Sequence, residues 1–300
     1  MIQHAQAEKF DAGKVIIEHV SNSEHPLIHL PTMFGIDFSV TKHVMMLWIV
    51  ASVVFVTVTW LVRRYLRQDR LVPTGAMNAL EAIVEFIADS IVQPNVGRKW
   101  VRTWAPLILT FFFFILCANA IGLVPIFETV GLIDHYVVHS ADGSFLKQVV
   151  HGSSTATGNF NVTAALATVT FFAIILAGSM AHGFVKHWKN LVPHGLAWPI
   201  YFLLIPIEIM GMFVRPFALT MRLAANMTGG HIAILAILSF VFLTTEIAGR
   251  AIAGVGVGLA LAVPLAVGVS ALEIIVVLVQ AYVFTLLTAV FIGMAIHVHH

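Results

Sequence analysis

Residues 259–296 read LALAVPLAVGVSALEIIVVLVQAYVFTLLTAVFIGMAI, with Glu273 and Gln280 as the strongly polar members of an otherwise apolar run. A bilayer core is about 30 Å thick and takes about 20 apolar helical residues. A helix over this run is about 57 Å long at 1.5 Å per residue. The preceding segment, Trp198 to Leu243, is nearly as apolar and longer still, although it carries Glu208, Arg215, Arg222, Asn226 and His231. Between the two, Thr244 to Gly258 is glycine-rich and reads as a turn. Membrane helices tilt about 20° on average and seldom more than 40°. A straight helix of this length must lie over at about 60° to stay in the core. The two segments read as a steeply tilted, antiparallel hairpin, a belt suited to a large cylindrical partner. The alternative is that each segment breaks into two crossings at Pro206, Pro216 or Pro264. A break near residues 215–222 places two arginines in an outer loop, against the charge bias of membrane loops.

Composition agrees with a bilayer as solvent. Of 300 residues, 59% are hydrophobic and 10% charged, against about 25% charged in a soluble domain. The formal net charge of +1 excludes the basic field of a nucleic-acid binder. The single cysteine, Cys117, lies in an apolar run and excludes an intrachain disulfide or a cysteine-based zinc site.

Outward from the hairpin, three shorter apolar runs read as crossings: Val44 to Val62, Ala105 to Val124 and Val162 to Val185. The first ends in Arg63, Arg64, Arg67 and Arg70, and the third in Lys186, His187, Lys189 and His194. Both basic clusters mark the cytoplasmic side. Between the first two runs, Ala76 to Gln93 repeats apolar residues at helical spacing with Glu81, Glu85 and Asp89 among them, the pattern of an interfacial helix. Gly97, Arg98, Lys99 and Arg102 follow. Residues 125–159 carry Glu128, Asp134 and Asp142 and belong outside, as does a polar tail over residues 1–41 that lacks the pattern of a signal peptide. The expectation is an all-α polytopic protein. It has five crossings and one interfacial helix in a single membrane domain over 42–300, with the N-terminus outside and the C-terminus inside. His297, His299 and His300 read as a solvated end, and no metal or cofactor site is expected.

Ionisable groups inside a bilayer cost several kcal/mol each and mark ion paths. Glu208, Arg215 and Arg222 are spaced by seven, and Asn226 lies one turn beyond, so a helix puts them on one stripe. Glu273 and Gln280, also seven apart, share a face of the last helix. In an antiparallel pair, setting His231 level with Glu273 sets Arg222 roughly level with Gln280. Nine residues turn about 900°, so His231 points away from Arg222. One face can meet a partner while the other lines a water path. Glu208 and Arg215 also admit a plain ion pair, His231 and Glu273 a structural pair, and Asn119 a bond between helices.

The run RPFALTMRLAANMTGGH over residues 215–231 resembles the signature of subunit a of F-type ATP synthases. Its diagnostic feature is the arginine followed four residues later by asparagine, here Arg222 and Asn226. Residues 272–284, LEIIVVLVQAYVF, resemble the family's last helix, with Gln280 on its polar glutamine. Residues 119–125, NAIGLVP, are similar to an earlier family motif that includes Asn119. The resemblance covers roughly Met77 to Ile296; the N-terminal tail and residues 127–159 look particular to this chain. Some bacterial members carry Glu where this chain has His231, and His where it has Glu273. A swap that keeps one imidazole and one carboxylate makes the pair a unit.

The resemblance implies a rotating ring of subunit c as partner, together with peripheral-stalk subunit b and the rest of the complex. It implies two offset half-channels: an outer one past His231, Glu273, Asn226 and Gln280, and an inner one past Glu208. Arg222 is the barrier between them, with Arg215 and Asn119 in support. No ATP site is expected on this chain, and the tail and outer loop favour a bacterial plasma membrane over a mitochondrial one. A stand-alone transporter is the competing class, but such folds show internal repeats, and none is visible. A structural scaffold is the third, and it predicts that Arg222 and Glu273 tolerate neutral replacement.

Overall fold

The computed structural model describes residues 39–68, 72–123, 155–189, 198–248 and 251–297, with Gly13 and Pro31; side chains at 240–255 and 257–258 are not described. Most of the N-terminal tail, Arg70, the outer stretch 124–154, His194, His299 and His300 lie outside the described residues. Among those described, the regular structure is helical: α1 (Lys42–Leu66), α2 (Ala76–Ile87), α3 (Gln93–Val96), α4 (Val101–Leu123), α5 (Phe160–His182), α6 (Phe184–Lys189), α7 (Trp198–Ala248) and α8 (Ala251–Ile296). Five of these are long and apolar enough to cross a membrane: α1, α4, α5, and α7 and α8 over Trp198–Ser239 and Leu259–Ile296. The all-α reading with five crossings holds; α1, α4 and α5 begin two to four residues before their apolar runs, while α5 stops at His182, short of Val185, because Gly183 at φ 87° ends its ladder.

The segment read as a glycine-rich turn is a correction. Helix runs through Ala248 and resumes at Ala251, so Gly254, Gly256 and Gly258 are helical. In water each such glycine costs about 1 kcal/mol relative to alanine. In lipid the backbone must satisfy its own hydrogen bonds, and helix is the way to do so. The same rule keeps α7 and α8 unbroken at 51 and 46 residues with Pro206, Pro216 and Pro264 inside them; the split into shorter crossings does not occur.

The amphipathic helix α2 exposes Glu81 and Glu85 and buries Ile87, and Asp89 just beyond it is also exposed. It widens into a π turn over Ala88–Val92, where the Gln93 N–H donates to Ala88 O. Pro94 explains the widening, because it has no N–H to offer the Ser90 carbonyl. Gly97 ends α3 at φ 82°, a backbone that side-chain-bearing residues avoid.

Packing divides the chain into two compact units. The larger holds 43–121, 155–225 and 277–300. Its core includes Ile87, Ile91, Ile108, Ile115, Leu223 and Ile292, all fully buried. Phe111 meets Phe284 edge-on at 5.5 Å between ring centroids, and Phe86 stacks on Tyr282 at 6.3 Å. Small residues let backbones approach in lipid: Gly293 packs directly on the Asn95 carbonyl. Thr170 and Thr288 bring their hydroxyls to 3.5 Å, and His182 Nε2 lies 2.9 Å from Ile296 O. The smaller unit holds 1–42, 122–154 and 226–276.

Candidate functional site

In the larger unit, α7 carries the expected stripe. Arg215 Nη2 donates to Glu208 Oε1 at 3.4 Å, with both side chains about one-third exposed. Seven residues rise about 10 Å, so the pair closes only with both side chains extended along two turns. The guanidinium also lies 5.9 Å from the Phe291 ring centroid. The plain ion pair considered for these two residues is the arrangement observed.

Arg222 differs. Leu219 and Leu223 on either side of it are buried. Arg222 itself is exposed beside Ala218, Met221 and Ala225, and Phe213, Val214 and Phe217 are exposed in the turns before it. Among the described residues no carboxylate lies within ion-pair distance of Arg222. A guanidinium offers five N–H donors in a rigid fork, and here that fork stands on an apolar face of a crossing segment. On the last helix Gln280 is buried. The Arg215–Phe291 contact brings α7 and α8 side by side in this unit.

In the smaller unit, Glu273 lies directly over the Cα of Gly230, and a Cβ there would collide with Oε1 and stand 3.1 Å from Cγ. This puts Glu273 at the height of Gly230 and its neighbour His231, the level taken as the premise of the antiparallel register. Glu273 is 7% exposed, and its Oε1 has no hydrogen-bond partner among the described residues. Leaving a buried carboxylate oxygen unsatisfied is costly. His231 is half-buried, and Asn226 is exposed one turn beyond Arg222.

Asn119 is 1% exposed. It accepts a 2.6 Å bond from Thr157 Oγ1, in a short 3-10 turn over Ala156–Gly158, so its partner sits ahead of α5 rather than on a helix. Its Nδ2 has no partner among the described residues. Gly230 and Thr157 were not singled out in the sequence, although the Gly229–Gly230 pair before His231 was a visible signal. At the basic end of α5, His187 packs its ring on Gly178. Burial first, and the nearby His182 second, hold its pKa below the ordinary histidine value.

Comparison with known proteins identifies the family. Residues 44–293 match the family described as ATP synthase A chain. The chain is 38% identical to ATP synthase subunit a 2 of Chlorobium luteolum, over 95% of this chain and 76% of that protein. It is 36% identical to ATP synthase subunit a 2 of Prosthecochloris aestuarii, over 97% and 82%. It is also 36% identical to ATP synthase subunit a of Anaeromyxobacter dehalogenans, over 96% and 71%. The relatives are bacterial and the apolar helices are membrane-spanning in length and composition. The chain belongs to the ATP synthase subunit a family.

Proposed function

We propose that this chain couples proton flow to rotation of a ring of subunit c through two offset half-channels separated by Arg222. The observation that carries the proposal is Arg222 itself, a permanent cation exposed on an apolar helix face with no carboxylate beside it among the described residues. A carboxylate on each ring subunit supplies the missing charge. Protons arrive from outside past His231 and Glu273, with Asn226 and Gln280 alongside, and neutralise a ring carboxylate so that it can face lipid. A carboxylate returning from the other side gives up its proton to an inner path past Glu208 and Arg215. Arg222 favours the ionised carboxylate in transit and bars a direct leak. Asn119 holds the outer end of α4. The N-terminus lies outside and the C-terminus in the cytoplasm of a bacterial plasma membrane, with subunit b among the neighbours.

Magnitudes constrain the arginine. An ion pair at 4 Å is worth about 4 kcal/mol at an effective dielectric of 20, while the membrane supplies about 2.3 kcal/mol per charge per 100 mV. A persistent pair stalls rotation, so the contact is transient or water-screened. The test is Arg222→Ala in the assembled complex in sealed vesicles, recording ATP-driven proton pumping beside passive leak. Pumping is expected to vanish with assembly intact, and an added leak identifies Arg222 as the separator of two paths. Normal pumping without leak defeats the proposal.

A further inference from the structure

The basic end of α1 carries a feature that the ion path does not use. Trp60 is 55% exposed, and Arg64 lays its guanidinium 5.2 Å from the centroid of that ring. Arg63, Arg64 and Arg67 rim a groove of about 620 Å³ floored by Phe55, Thr59 and Trp60. Phe55 and Thr59 also belong to a second cavity of about 660 Å³ where α1, α2 and α4 face one another. That cavity is lined by Val54, Val58, Leu80, Val84 and Phe113, with Glu81 as its one charged member. An apolar cleft within the usual range of small-molecule sites thus opens into a cationic rim through shared side chains.

We infer that this composite cleft binds an anionic phospholipid, its acyl chain among α1, α2 and α4 and its phosphate on Arg63, Arg64 and Arg67. Charge decides the class. Residues 63–70 hold four arginines and one aspartate, and Glu81 leaves the balance strongly positive. Arginine's planar fork suits a phosphate ester. Trp60 has the amphipathic ring that settles at headgroup level, so apolar and charged halves sit in the order a lipid presents them. A free phosphate satisfies the rim and leaves the cleft unfilled. An apolar helix from another subunit satisfies the cleft and leaves the arginines without counter-charge.

The experiment uses the assembled complex in vesicles doped with phosphatidylglycerol carrying a photoreactive diazirine on one acyl chain, and in parallel the same probe on phosphatidylcholine. Labelling by the phosphatidylglycerol probe is expected in peptides covering 51–62, 77–84 and 109–114, well above labelling by phosphatidylcholine. Each arginine replaced by glutamine is expected to lower it about fivefold. Leu80→Trp, which fills the cleft and spares the rim, is expected to abolish it should the arginine variants fail to assemble. Equal labelling by both lipids reduces the site to ordinary boundary lipid and overturns the inference. So does an unlabelled cleft that crosslinks instead to another subunit.

Discussion

At Gly230 the lack of a side chain decides where Glu273 can sit. Its Cα face is occupied by the carboxylate, so any larger residue must push that group away or rotate it. Overpacking of this kind costs about 1–3 kcal/mol, but its effect on a proton path is larger, because transfer depends on distance. Gly230→Ala is expected to lower ATP-driven pumping about tenfold or more in an assembled complex, since 1.4 kcal/mol is already tenfold. Adding Glu273→Asp, one methylene shorter, is expected to recover part of it. Unchanged pumping in Gly230→Ala would remove Glu273 from the path. Arg222 and Glu273 were legible from sequence because a charge inside an apolar run stands out. Gly230 and Thr157 were not, since glycine and threonine are ordinary in membrane helices and matter here only through what lies opposite.

Where α5 hands over to α6, a titratable ring is packed where a charge is unwelcome. His187 rests on Gly178 and meets the Trp188 ring at 6.0 Å between centroids. Its Nε2 is buried without a hydrogen-bond partner among the described residues. Desolvation, and then repulsion from His182, lower its pKa. Between the folded pKa and the ordinary value of about 6.5, the opened state binds more protons than the packed one. The packing is therefore fully stable above about pH 6.5 and weakens as pH falls toward the folded pKa. Hydrogen exchange over residues 178–189 of the assembled complex, corrected for intrinsic rates, is expected to be faster at pH 5.5 than at pH 7.5. His187→Gln is expected to flatten that dependence, and a dependence that survives the change assigns it elsewhere. Helix existence was readable at this scale from apolar length alone. The π turn ahead of Pro94 and the helical glycines after Thr244 were not: the first follows from the carbonyl that Pro94 leaves without a donor, the second from the demand for backbone hydrogen bonds in lipid.

Taken whole, the chain is unfinished at its surface. α7 exposes Phe202 at 87% and Leu203, Met210 and Phe213 at 63–67%, and Arg222 stands on the same helix. Lipid can cover the apolar side chains; on the proposed function the cation is met by a partner's carboxylate, and ion translocation belongs to the assembly. The chain purified alone into vesicles is expected to pass protons no faster than empty vesicles, while the complete complex pumps; sustained flux through the lone chain would instead support a stand-alone transporter. That the chain works with partners was legible from length: 51 and 46 residues in α7 and α8 far exceed the about 20 that a crossing needs. Which surface meets which partner was not, because one chain's sequence carries only one side of any contact. Those two long helices also constrain how relatives can differ in length. Deleting or inserting one residue between Arg215 and Gly230, or between Glu273 and Phe291, turns one end by about 100° and shifts it by about 1.5 Å relative to the other, so the Gly230–Glu273 and Arg215–Phe291 contacts cannot both be kept. Substitutions can accumulate along the hairpin, but insertions and deletions cannot. The residue count from Glu208 to Gln280 is therefore expected to be the same in the relatives that this chain matches at 36–38% identity.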